Sequence, residues 1–151
     1  MTAETPTAGA VLVACPQCHS LVRVPQVRAT EHPKCPRCKA QVLTGGPVEV
    51  DAAAFGAHIE RATLPALVDF WAPWCGPCHM MAPALERTAA VRATALRVSK
   101  VNIDEQPQLA ARFGIRSIPT LILFREGREL ARQTGAVDAA SLARWLDHAL
   151  S

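Results

Sequence analysis

The spacing of hydrophobic and polar positions predicts an α/β arrangement from residue 48 to the end of the chain. Apolar runs of strand length occur there between stretches whose apolar residues recur at helical spacing. The predicted strands are 66–72, 96–103, 121–124 and 129–133. The predicted helices are 51–61, 75–93, 106–113 and a last one from 138 or 141 to 150. Because strands alternate with helices, we expect one sheet that is covered by helices on both faces.

Residues at the ends of these segments support the same interpretation. Asp51 is suited to cap the first helix, and Pro107 is suited to the first turn of the third. Pro83 lies inside the second helix, where we expect a kink. Residues 125–128, Arg-Glu-Gly-Arg, are typical of a hairpin turn between the last two strands.

Residues 1–45 have a different pattern. Short β-like runs at 11–13, 21–24 and 41–43 surround two Cys-x-x-Cys pairs, and no stretch has a helical period long enough to bury a core. A segment of this size needs a disulfide or a metal to be stable. Turn-forming residues at 43–47 predict a boundary, which divides the chain into a small module, 1–45, and a larger domain, 46–151.

Composition limits the environment in which this chain works. It has 151 residues and six cysteines, all in Cys-x-x-Cys pairs. No apolar run approaches the ~18–20 residues that cross a bilayer, so we expect no membrane contact. The first nine residues lack a basic stretch followed by an apolar core, so we expect no secretory signal and a cytoplasmic protein. In the cytoplasm, paired cysteines indicate metal binding or redox chemistry.

The formal charge of +3 comes from residues 1–47, which hold five Lys or Arg and two Asp or Glu. If four cysteines there bind Zn²⁺ as thiolates, the charge of that segment falls to about +1. The electrostatic argument for a nucleic-acid partner is then weak, and we expect none.

The first four cysteines have the spacing of a zinc ribbon: Cys15-x₂-Cys18-x₁₆-Cys35-x₂-Cys38. Four protein ligands leave no open coordination position, so the spacing predicts one structural zinc ion. Two alternatives stay open. His19 or His32 could replace a cysteine as ligand, or the four cysteines could form redox pairs that release zinc on oxidation.

The third pair lies in Trp74-Cys75-Gly76-Pro77-Cys78, after a predicted buried strand and at a predicted helix start. Unpaired N–H groups and the helix dipole favour a thiolate at that position. We therefore predict that Cys75, the more exposed of the two, is the nucleophile and that Cys78 resolves the mixed disulfide. A metal knuckle, or two ordinary buried cysteines, is the alternative.

The segment Val68–Cys78, VDFWAPWCGPC, resembles the active-site segment of the thioredoxin family, and Ser117-Ile118-Pro119-Thr120 resembles its second hallmark. The resemblance covers residues 48–151. With the N-terminal pairs included, the chain is similar to the zinc-containing thioredoxin-2 type of bacteria. This resemblance implies a thioredoxin fold, with a central mixed sheet and helices on both faces, preceded by a small zinc-ribbon module.

The resemblance also implies roles for single residues. Pro119 would be a cis-proline that aligns a substrate backbone opposite the cysteines. Asp69 would be a buried proton acceptor for Cys78. Lys100 would be the partner of Asp69 on the neighbouring strand, although a structural ion pair is an alternative for both residues.

Further positions around the cysteines match the family pattern. Trp74, together with Trp71, would shape the docking surface, and Gly76-Pro77 resembles the spacer of reducing members. Gly135 would let a partner approach closely, or it is a plain turn glycine. His79 departs from the lysine found in many thioredoxins, so support for the thiolate could depend on pH.

The predicted function is therefore that of a protein-disulfide reductase with a structural, and in one alternative redox-sensitive, zinc site. The resemblance implies an NADPH-dependent thioredoxin reductase as electron donor. It implies ribonucleotide reductase, peroxiredoxins and methionine sulfoxide reductases as clients, and we expect a monomer. The alternatives are a zinc-ribbon module that binds nucleic acid or protein, a redox-regulated holdase, and haem attachment at the two C-x-x-C-H sequences, 15–19 and 75–79.

Overall fold

The computed structural model describes residues 9–151 and begins with a small antiparallel sheet. Strand β1, Ala10–Ala14, pairs with β2, Leu21–Pro25, and a 3₁₀ helix follows at Gln26–Glu31. The two strands confirm the first two predicted runs, but the third run, 41–43, is not a strand. Only an isolated bridge between Lys34 and Gln41 forms there, because the chain turns tightly around the second cysteine pair and leaves no length for a ladder.

The larger domain contains a five-stranded mixed sheet in the order β3-β5-β4-β6-β7. Its strands are β3 Val48–Glu49, β4 Ala66–Trp71, β5 Arg97–Asn102, β6 Thr120–Arg125 and β7 Arg128–Thr134. β3, β5 and β4 are parallel, whereas β6 and β7 are antiparallel to their neighbours. Four of these strands confirm the predicted ones. β3 was not predicted because two residues carry no periodicity.

The helices are α1 Ala52–Phe55, α2 Gly76–Val91, α3 Pro107–Arg112 and α4 Ala139–Leu150. α1 continues as one π-helical turn, Gly56–Glu60. Asp51 caps α1 by accepting a hydrogen bond from the N–H of Ala54, and Asp138 caps α4 in the same way from Ser141. None of the helices in residues 9–151 is long and apolar enough to cross a membrane.

Each face of the sheet is covered by its own buried cluster, as the alternating pattern predicted. Successive residues of β4 point to opposite faces. Val68 and Phe70 pack with Phe55 and Phe124 in one cluster. Leu67 packs on the other face with residues of α2 and α4, namely Leu85, Leu142 and Leu146.

The N-terminal module is docked on the sheet domain. Leu12 and Thr63 exchange two hydrogen bonds: the N–H of Leu12 donates to Thr63 Oγ1 at 2.8 Å, and the N–H of Thr63 donates to the Leu12 oxygen at 2.9 Å. Leu64 of the domain packs into the buried cluster of the module, which includes Val13, Val24 and Val42. The two parts thus share a core, and the division at residue 45 stays a prediction about folding units.

Candidate functional site

Cys75 and Cys78 lie where the central strand β4 ends and α2 begins. Cys75 is the N-cap of α2, and Cys78 lies in its first turn. The two sulfurs are joined as a disulfide at 2.30 Å, and the N–H of Cys78 points to Cys75 Sγ at 3.2 Å. A backbone donor and the positive end of a helix dipole therefore both act on the Cys75 sulfur and favour its thiolate.

Exposure does not separate the two cysteines. Cys75 is 4% exposed and Cys78 is 3% exposed, so the greater exposure predicted for Cys75 is not found. The two cysteines differ instead in their position in the helix, because the sulfur of Cys75 accepts a hydrogen bond from a backbone N–H of the first turn of α2. The assignment of Cys75 as nucleophile depends on that contact.

The loop before β6 lies against the cysteine pair. The Ile118 oxygen is 3.9 Å from Cys75 Sγ, and the Ile118–Pro119 peptide bond is cis. Gly135 stands beside this loop: its N–H donates to the Pro119 oxygen at 2.9 Å, and its φ of +95° is one that glycine adopts without strain. Two segments distant in sequence, 75–78 and 117–119, thus meet at the sulfurs.

Asp69 is a carboxyl buried in the middle of β4, with 1% of its surface exposed. Its Oδ1 has no hydrogen-bond partner within residues 9–151. Burial raises the pKa of Asp69 to about 7, with Lys100 opposing the rise and Glu49 adding to it. A carboxyl with this pKa exchanges a proton readily near neutral pH.

Lys100 is the neighbour of Asp69 in the register of β4 and β5. The ion pairs found in residues 9–151 do not join these two side chains. The Lys100 ammonium lies instead 4.4 Å from the ring centroid of Trp71, over the ring face. Lys100 therefore acts on Asp69 through its charge across the strands and not through a direct hydrogen bond.

Trp74 and His79 flank the pair at the surface. Trp74 is 68% exposed, and its indole N–H donates to Asp104 Oδ2 at 3.0 Å. His79 Nε2 donates to the Pro73 oxygen at 2.6 Å, which ties α2 to the loop before it. The role of Asp104 was not predicted, although its place just after β5, at the same sheet edge as Cys75, was a usable signal.

The first four cysteines form one cluster in the N-terminal module. Their sulfurs all lie within 4.8 Å of one another, with 3.5 Å between Cys15 and Cys38 and 3.7 Å between Cys18 and Cys35. A tetrahedral Zn²⁺ with Zn–S bonds of about 2.3 Å requires sulfurs about 3.8 Å apart. The four thiols, called the cysteine cluster below, therefore fit a tetrahedral metal ion.

The two halves of the cysteine cluster have the same backbone. Each knuckle closes with a hydrogen bond to its first cysteine, from the N–H of His19 to Cys15 O and from the N–H of Lys39 to Cys35 O. His19 and Lys39 both have a positive φ, of 64° and 70°. Hydrogen bonds from Ser20 lower the pKa of Cys18, whereas burial and the hydrogen bonds of the neighbouring thiols raise the pKa of Cys38.

The two candidate histidines are engaged elsewhere. His19 Nδ1 lies 2.9 Å from Nε2 of His58 in the sheet domain, and His32 Nδ1 lies 3.2 Å from Gln41 Nε2. The metal-competent group found in residues 9–151 consists of the four cysteines. The structure therefore favours a Cys₄ site over one with a histidine ligand.

Two buried basic side chains of the sheet domain lie under the module, and sequence reasoning missed both. His58 is buried, and burial lowers its pKa to about 4, aided by Arg97 and His19. Burial also lowers the pKa of Arg97 to about 10, an effect that Cys15 opposes. Arg97 was a usable signal, because it is a charged residue inside a predicted buried strand.

Comparison with known proteins gives one family model and several relatives. The Thioredoxin family model matches residues 46–148. Thioredoxin C-3 of Corynebacterium nephridii is 37% identical over 140 residues, which are 93% of this chain and 96% of that protein. The thioredoxin of Mycobacterium tuberculosis is 48% identical over 99 residues, 66% of this chain and 85% of its own length. Thioredoxin 1 of Synechococcus elongatus is 46% identical over 98 residues, 65% of this chain and 92% of its own. The first of these similarities extends well into residues 1–45.

Proposed function

The chain belongs to the thioredoxin family and is a thiol–disulfide oxidoreductase, and from that premise we propose that it reduces disulfides in client proteins. The observation that carries this proposal is the Cys75–Cys78 pair at the start of α2, with the Ile118 backbone against it. The Cα atoms of the pair are 5.3 Å apart, which is within the range of protein disulfides. One turn of helix therefore holds both the attacking and the resolving sulfur.

The proposed reaction has two steps. The Cys75 thiolate attacks one sulfur of a client disulfide, the client S–S bond breaks, and the other client sulfur leaves as a thiolate. Cys78 then loses its proton and attacks the Cys75 sulfur of the mixed disulfide. The second client thiolate leaves, and Cys75 and Cys78 are joined as in the structure. Two electrons pass from the dithiol to the client.

Asp69 is proposed to accept the proton of Cys78 in the second step. Its pKa of about 7 lets it act as a base near neutral pH and return the proton afterwards. Lys100 would adjust that pKa through its charge. The expected result for Asp69→Asn is a slower resolving step with an unchanged first step, measured by stopped-flow kinetics against a disulfide client. An equal loss in both steps would contradict this role.

The direction of electron flow follows from the Gly76-Pro77 spacer, which resembles that of reducing family members. We expect a reduction potential near the thioredoxin value of about −270 mV. Equilibration of the Cys75–Cys78 pair with glutathione or dithiothreitol buffers measures it. A potential near about −180 mV or −120 mV, the isomerase and oxidase values, would refute the reductase proposal.

Serine substitutions separate the two cysteines in a single assay. Insulin reduction with dithiothreitol as electron source should be lost in both Cys75→Ser and Cys78→Ser. Only Cys78→Ser should accumulate a covalent complex with a client, because its nucleophile is intact and its resolving thiol is gone. Complex formation by Cys75→Ser instead would exchange the two roles.

We also propose that the cysteine cluster binds one structural zinc ion. The sulfur distances and the knuckle hydrogen bonds support it, and four thiolates leave no position open for chemistry. The first measurement is zinc per chain together with reactive thiols, on protein purified with reductant and without chelator. We expect one zinc and about two reactive thiols, whereas no zinc and six titratable thiols would contradict the site.

The cluster is proposed to respond to oxidation as well. Sulfurs as close as Cys15 and Cys38, at 3.5 Å, can form a disulfide with little movement once the metal leaves. Treatment with hydrogen peroxide should then release zinc in step with the loss of thiols. Retention of zinc by fully oxidised protein would limit the metal to a structural role.

The proposed electron donor is an NADPH-dependent thioredoxin reductase. The proposed clients are ribonucleotide reductase, peroxiredoxins and methionine sulfoxide reductases, and the proposed location is cytoplasmic. These proposals follow from the family and from the sequence. A coupled assay that follows NADPH oxidation, with insulin as the final acceptor, tests the donor.

A further inference from the structure

Arg97 connects the sheet of the domain to the cysteine cluster of the module. It is the first residue of β5 and is paired with Ala66 of β4. Only 7% of its surface is exposed, and its Nη1 donates to the Ala14 oxygen at 3.1 Å. Ala14 directly precedes Cys15, so this buried guanidinium reaches the backbone next to the cluster.

The charge of Arg97 has no carboxylate to balance it. The three ion pairs of residues 9–151 involve other side chains, and its one hydrogen-bond acceptor in that part of the chain is the neutral Ala14 carbonyl. A buried cation without a counter-charge is strongly destabilising. The guanidinium is held at the Ala14 carbonyl, and Ala14 is bonded directly to Cys15, the first cysteine of the cluster. The cysteine cluster, which begins at the residue after Ala14, can supply the compensating charge.

A metal-loaded cluster supplies that charge. Four thiolates around a divalent ion carry a net charge of −2, which is buried together with Cys15 and Cys35. We propose that Arg97 is the counter-charge of the metal-loaded cysteine cluster, so that metal binding and docking of the module on the sheet stabilise each other. This inference rests on the metal site proposed above.

A second contact between the module and the domain also lies next to a cysteine of the cluster. His19, next to Cys18, contacts His58 of the domain through the 2.9 Å ring-nitrogen pair. Both cysteines of the first knuckle are thus adjacent to a residue held by the domain. Because coupling between binding and docking is reciprocal, a metal ion that fixes this knuckle also strengthens the interface.

The alternative is that Arg97 only satisfies the Ala14 carbonyl. Two substitutions distinguish the alternatives: Arg97→Lys keeps the charge and loses the planar fork, whereas Arg97→Met keeps much of the length and loses the charge. A role limited to the hydrogen bond predicts similar metal affinities for both variants. A counter-charge predicts that Arg97→Lys binds metal much more tightly than Arg97→Met.

The test measures metal affinity in the reduced full-length chain, with Cys75→Ser and Cys78→Ser in the background so that other thiols do not compete. Co²⁺ is titrated by its thiolate charge-transfer absorption, and Zn²⁺ affinity is obtained by competition with a chromophoric chelator. We expect Arg97→Met to bind at least about tenfold more weakly and Arg97→Lys to stay within about threefold of the parent. Arg87→Met, on the exposed face of α2, is the matched control and should not change the affinity.

The reciprocal effect is measured on the parent protein. All three tryptophans, Trp71, Trp74 and Trp145, lie in the sheet domain, so their fluorescence reports the unfolding of that domain. Zinc should raise the unfolding temperature seen by tryptophan, and the shift should be smaller in Arg97→Met. The measurement on the parent protein tests the coupling even if Arg97→Met does not fold. Equal unfolding temperatures of the parent with and without zinc would overturn the coupling.

The outcomes separate the two proposals. If the parent chain binds no Co²⁺ or Zn²⁺, the metal site itself is wrong and Arg97 has no cluster to balance. If the parent binds one metal and Arg97→Met binds it equally well, only the counter-charge is wrong. Equal weakening in Arg97→Met and Arg97→Lys would reduce Arg97 to its hydrogen bond with Ala14.

Discussion

The ionisation of Asp69 depends strongly on its place in the fold. Its carboxyl is buried on the central strand and one oxygen has no partner within residues 9–151. Burial raises its pKa to about 7, whereas in the unfolded chain it ionises near its ordinary value of 3.8. Between about pH 4 and pH 7, therefore, the Asp69 carboxyl keeps its proton in the native state and has lost it in the unfolded state.

The contribution of Asp69 to the stability of the protein should fall as pH rises through this interval. Below about pH 4 the carboxyl is protonated in both states and has no effect, and above about pH 7 the full cost of a buried charge is present. Asp69→Asn should then raise the free energy of unfolding by roughly 2–4 kcal/mol at pH 8 and by much less at pH 4. Urea unfolding at both values measures the difference.

Glu86→Gln removes an exposed carboxylate from α2 and is the matched control for this prediction. A comparable stabilisation by Glu86→Gln at pH 8 would show that general charge, and not burial of Asp69, controls the pH dependence.

The backbone conformation of Gly135 contributes to stability at the site, because its φ is +95° and its N–H donates a hydrogen bond to the Pro119 oxygen. Gly135→Ala should lower the free energy of unfolding by about 1–2 kcal/mol, since a Cβ disfavours this conformation although the space around it is open. Gly46→Ala also meets no atom and lacks the positive φ, so it should be close to neutral. Equal effects in the two variants would contradict the backbone explanation.

At the scale of elements, the hairpin of β6 and β7 turns in two residues. Glu126 and Gly127 connect the paired Arg125 and Arg128, and both have a positive φ, of 49° and 84°. Positive φ at both positions is the requirement of a type I′ turn, in which Asn-Gly is preferred. Glu126 is therefore a poor residue at its own position.

Glu126→Asn should stabilise the protein by about 0.5–1 kcal/mol, because asparagine adopts a left-handed conformation at lower cost. Urea unfolding measures the gain, and insulin reduction should be unchanged since the turn lies at the opposite end of β6 from Pro119. Glu126→Ala removes the same charge without the conformational benefit. A gain of the same size with alanine would assign the effect to charge.

At the scale of the whole molecule, the module and the sheet domain differ in what holds them together. The domain has two large buried clusters, one on each face of its sheet. The buried cluster of the module includes two cysteines of the cysteine cluster, Cys15 and Cys35. Metal removal should therefore loosen the module much more than the domain.

Chelation under reducing conditions should raise amide hydrogen exchange in residues 10–43 by more than about tenfold, while β4 and β6 stay protected. Mass spectrometry of peptides from both parts measures this in one experiment. Exchange in residues 10–43 that is the same with and without chelator would mean that the module is stable without its metal.

Consecutive residues of this chain were sufficient to predict most of the elements and both cysteine centres. The apolar run 66–72, with Asp69 inside it, predicted the central strand, and its continuation into Cys75 predicted a helix start. The paired Cys-x-x-Cys spacing predicted the four-sulfur cluster. These features are local, because strand alternation, helix capping and knuckle turns depend on residues within a few positions of one another.

The tertiary structure alone decided the features that need distant segments to meet. It placed the Ile118 oxygen against Cys75, left the two redox cysteines almost equally buried, and directed Lys100 over Trp71. It also brought the module against the domain at Arg97, whose contact with the Ala14 oxygen could not be predicted from the pattern of its own strand. A sequence records the chemistry that each residue carries, whereas the crossing of chain segments determines which charges and sulfurs become neighbours in a low-dielectric interior.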